Sequence, residues 1–185
     1  MNKLPIEKRV QIINLLVEGN SLRSISRVAD VSINTLTKLL VDIGSACWKF
    51  HDEKVVNLNC RRIQCDEIWS FGYSKEKNKL ANVANAGDVW TWTAIDADSK
   101  LIVGWFVGNW DGDSANTFMQ DIDSRLARRV QLTTDGLHSY LEAVTDSFGS
   151  QIDFAHLDKL YGKEGSSSNA EKNQPLHSYF SGVFA

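Results

Sequence analysis

Residues 63–71 are Ile63-Gln64-Cys65-Asp66-Glu67-Ile68-Trp69-Ser70-Phe71. Apolar and aromatic side chains dominate this stretch, which predicts a β-strand, and Asp66 places a carboxylate within it. An acid among apolar strand residues costs free energy unless it is paired or bound to a metal, so Asp66 is the first candidate functional residue. Because side chains alternate along a strand, Glu67 is expected on the opposite face, where a salt bridge or a solvent-exposed position is the favoured interpretation.

The segments after this strand predict further strands interrupted by helices. Strand-forming runs occur at 89–95, 101–107, 130–134 and 152–157, and the turn residues 96–99 join the first two as a hairpin. Helical spacing of apolar residues predicts one helix after Ser114 and another that ends at Gly149. The order β-β-β-α-β-α-β is that of an α/β protein with a ribonuclease H-like mixed sheet domain, which we place at 60–162.

Asp135 follows the fourth predicted strand and is the second candidate. The first and fourth strands are neighbours in a ribonuclease H-like sheet, so Asp66 and Asp135 are expected to converge although they are 69 positions apart. Carboxylates on rigid elements suit Mg²⁺, and a pair of divalent ions can serve both the attacking and the leaving oxygen of a phosphodiester. Asp135 precedes Gly136, however, and a tight turn alone also explains an acid at that position.

Residues 1–50 predict a helix-turn-helix domain of three helices. Pro5 suits a first helical position, Gly19 suits a helix end, and a second helix is predicted from about Ser21 to Ala29. The third helix is expected to follow Ser32, a good N-cap. The inward-facing residues predicted for the first two helices are Val10, Ile13, Leu16 and Val17, then Leu22, Ile25, Val28 and Ala29.

The join between the second and third helices favours DNA binding. Asp30 falls where the turn needs a positive φ, which Asp tolerates better than most residues. The pattern from Ser26 to Leu36 resembles that of many bacterial helix-turn-helix proteins. A plain three-helix bundle with a polar face is the alternative. The predicted DNA-binding residues are Ser32, Asn34, Thr35 and Lys38.

Composition and charge exclude some classes of protein. The chain is 43% hydrophobic and 23% charged, which indicates a globular protein, and no run approaches the ~18 apolar residues of a membrane span. The N-terminus lacks an apolar signal region, so a cytoplasmic location is expected. Residues 1–62 carry 10 Lys or Arg and 6 Asp or Glu, whereas residues 63–185 carry 10 and 17. The basic part of the chain is therefore the one expected to meet phosphate.

Three segments resemble transposases of the insertion-sequence-one family. They are Gln64-Cys65-Asp66-Glu67-Ile68-Trp69-Ser70-Phe71, Gly87-Asp88-Val89-Trp90-Thr91-Trp92-Thr93-Ala94-Ile95-Asp96 and Leu132-Thr133-Thr134-Asp135-Gly136. The resemblance implies a DDE-type enzyme that cleaves and transfers DNA strands, with Asp66 and Asp135 as the first two catalytic acids and metal ligands. It also implies two Mg²⁺ or Mn²⁺ ions, double-stranded DNA at element ends and target as partner, and a homo-oligomer on DNA, with no membrane partner.

The likeness to that family ends near Gly162, which implies that the ribonuclease H-like domain is incomplete at its C-terminus. The family's third acid has no match, because Glu164 and Glu171 lie in a polar, loop-like stretch. Residues 163–185 are therefore predicted to be an aberrant, irregular tail, and the chain a truncated and defective copy. The alternative is a catalytically inactive DNA-binding regulator or inhibitor of transposition. A transcription factor with a ligand-sensing second domain is a third possibility, which predicts that Asp66 and Asp135 lie far apart.

Cysteine and tryptophan residues offer two weaker hypotheses. Cys47, His51, Cys60 and Cys65 have spacings unlike a zinc knuckle, so buried free thiols are favoured over a zinc site. Three tryptophans of the predicted hairpin could stack on flipped bases, although core packing is the more common use of such residues. They are Trp90, Trp92 and Trp105.

Overall fold

The computed structural model describes residues 4–160 and 177–184, with side chains as far as Leu157. The chain forms two compact units, one that ends at Lys54 and one that begins at Val55. None of the described helices is long and apolar enough to cross a membrane.

The first unit consists of three helices: α1 (Ile6–Val17), α2 (Leu22–Ala29) and α3 (Ile33–Lys54). Their shared core is small and comprises Ile12, Ile25, Ala29 and Leu36. The predicted faces are wrong in part, because Val10, Val17 and Val28 are exposed while Ile12 is fully buried. The stripe of buried residues is therefore rotated around the helices relative to the one predicted from apolar spacing.

The turn between α2 and α3 has the predicted backbone geometry. Asp30 adopts a left-handed conformation with φ of 50° and ψ of 52°. The Ser26 hydroxyl donates to the Val31 carbonyl at 2.7 Å, and the Ser32 hydroxyl accepts from the Thr35 backbone N–H at 3.2 Å. The Ser26 hydroxyl thus ties α2 to the turn, and Ser32 caps α3.

The second unit is a mixed α/β structure built on one sheet. Its elements are β1 (Arg62–Gly72), β2 (Gly87–Asp96), β3 (Ile102–Gly108), α4 (Gly112–Arg125), β4 (Gln131–Asp135), α5 (Ser139–Phe148), β5 (Asp153–Leu160) and β6 (His177–Phe184). The strand order is β3-β2-β1-β4-β5-β6. β1 is parallel to β4 and antiparallel to β2, and β4 is parallel to β5. The predicted strands and helices are therefore confirmed to within a few residues.

The core of this unit lies between the sheet and the two helices α4 and α5. Apolar residues of α4, among them Phe118 and Ile122, are fully buried with Trp92 and Val103 of the hairpin strands. Gly104 allows this close approach, because a Cβ there would lie 2.4 Å from Cδ1 of Ile122. The hairpin turn is stabilised by Asp96, whose carboxylate accepts from the Ser99 backbone N–H at 3.1 Å.

The structure differs from the irregular tail predicted at 163–185 in one part of that segment. Residues 177–184 form β6, which pairs antiparallel with β5. The sequence contains strand-forming residues in this stretch, namely Tyr179, Phe180, Val183 and Phe184. The loop predicted around Glu164 and Glu171 lies outside the described residues.

Candidate metal centre

The parallel seam between β1 and β4 positions two acids at the same level. The pairing is short and joins Arg62, Ile63 and Gln64 to Gln131, Leu132 and Thr133. Asp66 and Asp135 each lie two residues beyond the last pair, Gln64 with Thr133. Because parallel strands advance equally per residue, the two side chains emerge side by side where the strands part.

Three carboxylates meet at this point. Asp66, Glu67 and Asp135 each offer an oxygen, and these oxygens lie within 4.8 Å of one another. The predicted convergence of Asp66 and Asp135 is thus observed, and the wide separation expected of a ligand-sensing transcription factor is not. Asp66 is exposed, whereas Glu67 and Asp135 are half-buried.

Glu67 is a member of this cluster that sequence reasoning set aside. It belongs, as predicted, to the face opposite Asp66, since Ile63 and Cys65 on its side of the strand are buried. The predicted salt bridge or solvent position is wrong, because the Tyr140 hydroxyl donates to its carboxylate. The position of Glu67 next to Asp66 was the one sequence signal for its place in the cluster. Nothing in the sequence indicated its contact with Tyr140 on α5.

The surroundings of Glu67 favour its protonated form. Burial, together with the negative charges of Asp135 and Asp66, raises the pKa of this carboxyl to about 6, although hydrogen bonds from Tyr140 and Trp110 act to lower it. Burial is the largest cause. A bound cation at the cluster would oppose both raising effects.

Tyr140 holds a fixed position beneath the cluster. Its side chain is fully buried and packs edge-on against Trp92, with ring centroids 5.5 Å apart. Burial, followed by the negative charges nearby, raises the pKa of its hydroxyl, so the group stays a protonated donor near neutral pH. The side chain that orients Glu67 is therefore itself held by the core.

The two aspartates are fixed by the backbone next to them. The Asp66 carboxylate accepts from the Glu67 backbone N–H at 3.0 Å. The Asp135 carboxylate accepts from the Leu137 backbone N–H at 3.2 Å, which is an Asx turn. Asp135 therefore supports the turn into α5, and its carboxylate is also part of the cluster.

The remaining predicted residues lie elsewhere. Ser32, Asn34 and Lys38 are exposed at the start of α3, and the half-buried Thr35 shares a hydroxyl hydrogen bond of 2.9 Å with Ser32. The cysteines are free, and Cys60 and Cys65 are buried as predicted while Cys47 is exposed. Among the described residues, the group of side chains that could hold a metal ion is the acid cluster, and no cysteine belongs to it.

The three tryptophans of the hairpin differ in burial. Trp92 is fully buried, and its indole N–H donates to the Asn109 carbonyl at 3.0 Å, so core packing is confirmed for this residue. Trp90 is half-buried, and Trp105 is exposed.

Comparison with known proteins gives structural matches alone. No family model and no curated protein sequence matches the chain. Solved structures that are similar to it include the Mos1 mariner paired end complex with Mn and the Mos1 transposase paired-end complex with left transposon end. Each has a TM-score of 0.36, at 14% and 13% identity respectively. The match covers 83% of this chain and 60% of the other, so the chain spans less than two thirds of their length.

Proposed function

We propose that this chain is a metal-dependent enzyme that cleaves and transfers DNA strands, a DDE-type transposase of an insertion sequence with a ribonuclease H-like second unit. The observation that carries the proposal is the meeting of three carboxylates from β1 and β4 within 4.8 Å. In the reaction, a water or 3′-hydroxyl oxygen forms a bond to phosphorus while the bond from phosphorus to the leaving oxygen breaks.

The donor set fits Mg²⁺ or Mn²⁺. Both are hard cations that prefer carboxylate oxygens, and the cluster offers these without a thiol or imidazole. Asp66 and Asp135 would hold the ions, with Glu67 as a third ligand oriented by Tyr140. Divalent ions at such a site stabilise the charge that develops on the attacking and leaving oxygens.

The first unit is proposed to bind double-stranded DNA at element ends. Asn34 and Lys38 are exposed on the first turns of α3, where a recognition helix contacts base edges and phosphates. Ser32 and Thr35 are bonded to each other, so their proposed contribution is to fix the start of the helix and to contact phosphate. Assembly of several copies on DNA belongs to the same proposal.

A nicking assay with purified protein tests the catalytic part. The unmatched third acid predicts a defective copy, but Glu67 offers a third carboxylate at the cluster. Supercoiled DNA carrying element ends should therefore be nicked with Mg²⁺ or Mn²⁺ and not with EDTA. Asp66→Asn and Asp135→Asn should each abolish nicking. Asp146→Asn makes the same chemical change at an exposed position of α5 and should retain it.

Binding of the ion gives a readout that does not depend on turnover. Mg²⁺ at a hundred times its dissociation constant should stabilise the wild type by about 2.7 kcal/mol. That stabilisation should be lost in Asp66→Asn and kept in Asp146→Asn. Equal stabilisation of all three proteins would refute the metal site. A mobility shift on element-end DNA without any cleavage would favour the alternative, a catalytically inactive DNA-binding regulator.

A further inference from the structure

An exposed aromatic surface continues from the acid cluster along β1. Trp69 and Phe71 follow Glu67 at alternate positions, so the three side chains share one face of the strand. The two rings lie 5.7 Å apart between centroids and are 40% and 49% exposed. We call Trp69 and Phe71, with Lys75 beside them, the aromatic strip.

The neighbouring strand extends this surface toward the carboxylates. Trp90 is the direct partner of Trp69 in the antiparallel pair, which makes them neighbours on the same face. Trp90 stacks on Trp110 with ring centroids 5.2 Å apart, and the Trp110 side chain lies close enough to Glu67 to lower its pKa. Aromatic faces therefore surround the one acid of the cluster that points to this side of the sheet.

A positive charge accompanies the exposed rings. The Lys75 ammonium lies 4.9 Å from the ring centroid of Trp69 and 6.0 Å from that of Phe71. Residues 75–79 are Lys-Glu-Lys-Asn-Lys, a basic segment in an otherwise acidic unit. Lys79 pairs with Glu76 at 3.5 Å. The charge of the segment suits phosphate, and the rings suit a planar, apolar ligand.

We propose that the aromatic strip binds an unpaired nucleotide of the DNA strand next to the scissile phosphate. Its base stacks on Trp69 and Phe71, and its phosphate contacts Lys75. Bases expose their faces to aromatic side chains when they are unpaired, which selects single-stranded over duplex DNA. The inference rests on the proposed function for its choice of DNA, and it assigns the strip as the place where strand separation beside the cluster is stabilised.

The test measures binding without catalysis. Fluorescence anisotropy in EDTA compares two labelled probes, a short single strand of thymidines and a blunt duplex. Trp69→Ala and Phe71→Ala should each weaken binding of the single strand about tenfold, within the range expected for loss of one stacked base, and change duplex binding by less than about twofold. Trp69→Phe should restore most of the affinity. Lys75→Gln should reduce the salt dependence of single-strand binding by about 0.7 in the log–log slope.

Trp105→Ala is the matched control. Trp105 is 42% exposed, close to the 40% of Trp69, but it pairs with Thr93, the partner of Asp66, and so lies on the other face of the sheet. It should bind both probes like the wild type. Equal weakening of the two probes, a loss in Trp105→Ala equal to that in Trp69→Ala, or a Trp69→Ala protein that binds normally would overturn the inference. A Trp69→Ala effect on self-association with no effect on the single strand would do the same. Failure of nicking alone would count against the proposed function and leave this result standing.

Discussion

Replacing Tyr140 with Phe should destabilise the protein at neutral pH and have little effect in acid. The change removes one hydroxyl and keeps the ring that packs edge-on against Trp92. What is lost is the donor to the Glu67 carboxylate. A hydrogen bond to a charged group is worth about 1.5–3 kcal/mol, and solvent at the half-buried Glu67 replaces part of it. We expect a loss of about 1–2 kcal/mol at pH 8 without metal.

The sign of the pH dependence follows from the pKa of Glu67. In the folded protein this pKa is raised from 4.5 to about 6, mainly by burial. The folded state therefore binds the proton more tightly than the unfolded state. The resulting stabilisation is fully present below pH 4.5 and is lost as the pH rises through 6. The shift corresponds to about 2 kcal/mol, which we halve to about 1 kcal/mol because the carboxyl is partly exposed.

Removing the Tyr140 donor should raise the pKa of Glu67 further and steepen this loss. Urea unfolding of the wild type and Tyr140→Phe at several pH values in EDTA measures the difference directly. Glu67→Gln should flatten the dependence between pH 4.5 and 6. Tyr73→Phe, at a tyrosine that is 76% exposed, is the control and should match the wild type. A Tyr140→Phe difference of equal size at pH 4 and pH 8 would refute the reasoning.

Three further predictions concern the fold. Asp30→Val should lower the unfolding free energy of the first unit by about 1–2 kcal/mol, because a branched residue resists a left-handed backbone. Asp30→Gly should stay within about 0.5 kcal/mol of the wild type. Urea titrations followed by circular dichroism compare the two variants. Gly104→Ala should cost about 1–3 kcal/mol in the same assay, because its methyl group would meet Ile122, and Ile122→Val should recover part of the loss. Phe118→Ala should cost about 3–5 kcal/mol by creating a cavity, while Phe50→Ala, at a position 64% exposed on α3, should leave the urea midpoint unchanged.

Local sequence signals predicted much of the fold. The turn at Asp30 was predictable because few residues tolerate its left-handed backbone, and the hairpin because Asp96 and Ser99 are typical turn residues. Helix faces in the first unit were less predictable. Val10 and Val17 are apolar but exposed, since a core of four fully buried residues needs only a narrow stripe from each helix. β6 was missed because its pairing with β5 is a tertiary contact.

The candidate site was predicted only where it depends on strand order. Asp66 and Asp135 converge because β1 and β4 are adjacent and parallel, which the order of elements implied. The part played by Glu67 depends on Tyr140, which lies 73 positions later and reaches it from α5. No local pattern encodes that contact. Alternation correctly assigned Glu67 to the opposite face, but it did not show that its carboxylate still comes within 4.8 Å of the two aspartates.

The short pairing of β1 with β4 divides the sheet into two parts that are joined by three residue pairs. In one part, β1 continues beyond Asp66 and stays paired with β2 as far as Gly87. In the other part, Asp135 of β4 is paired with Leu157 of β5. A small rotation about this short pairing would change the distance between the aspartates without breaking the hydrogen-bond ladder inside either part. At a metal site of the kind proposed, such a rotation would adjust the spacing of the carboxylates to the ions that they hold. Faster amide hydrogen exchange at the pairing of β1 with β4 than in the rest of the sheet would support such a rotation, and uniform protection across β1 would contradict it.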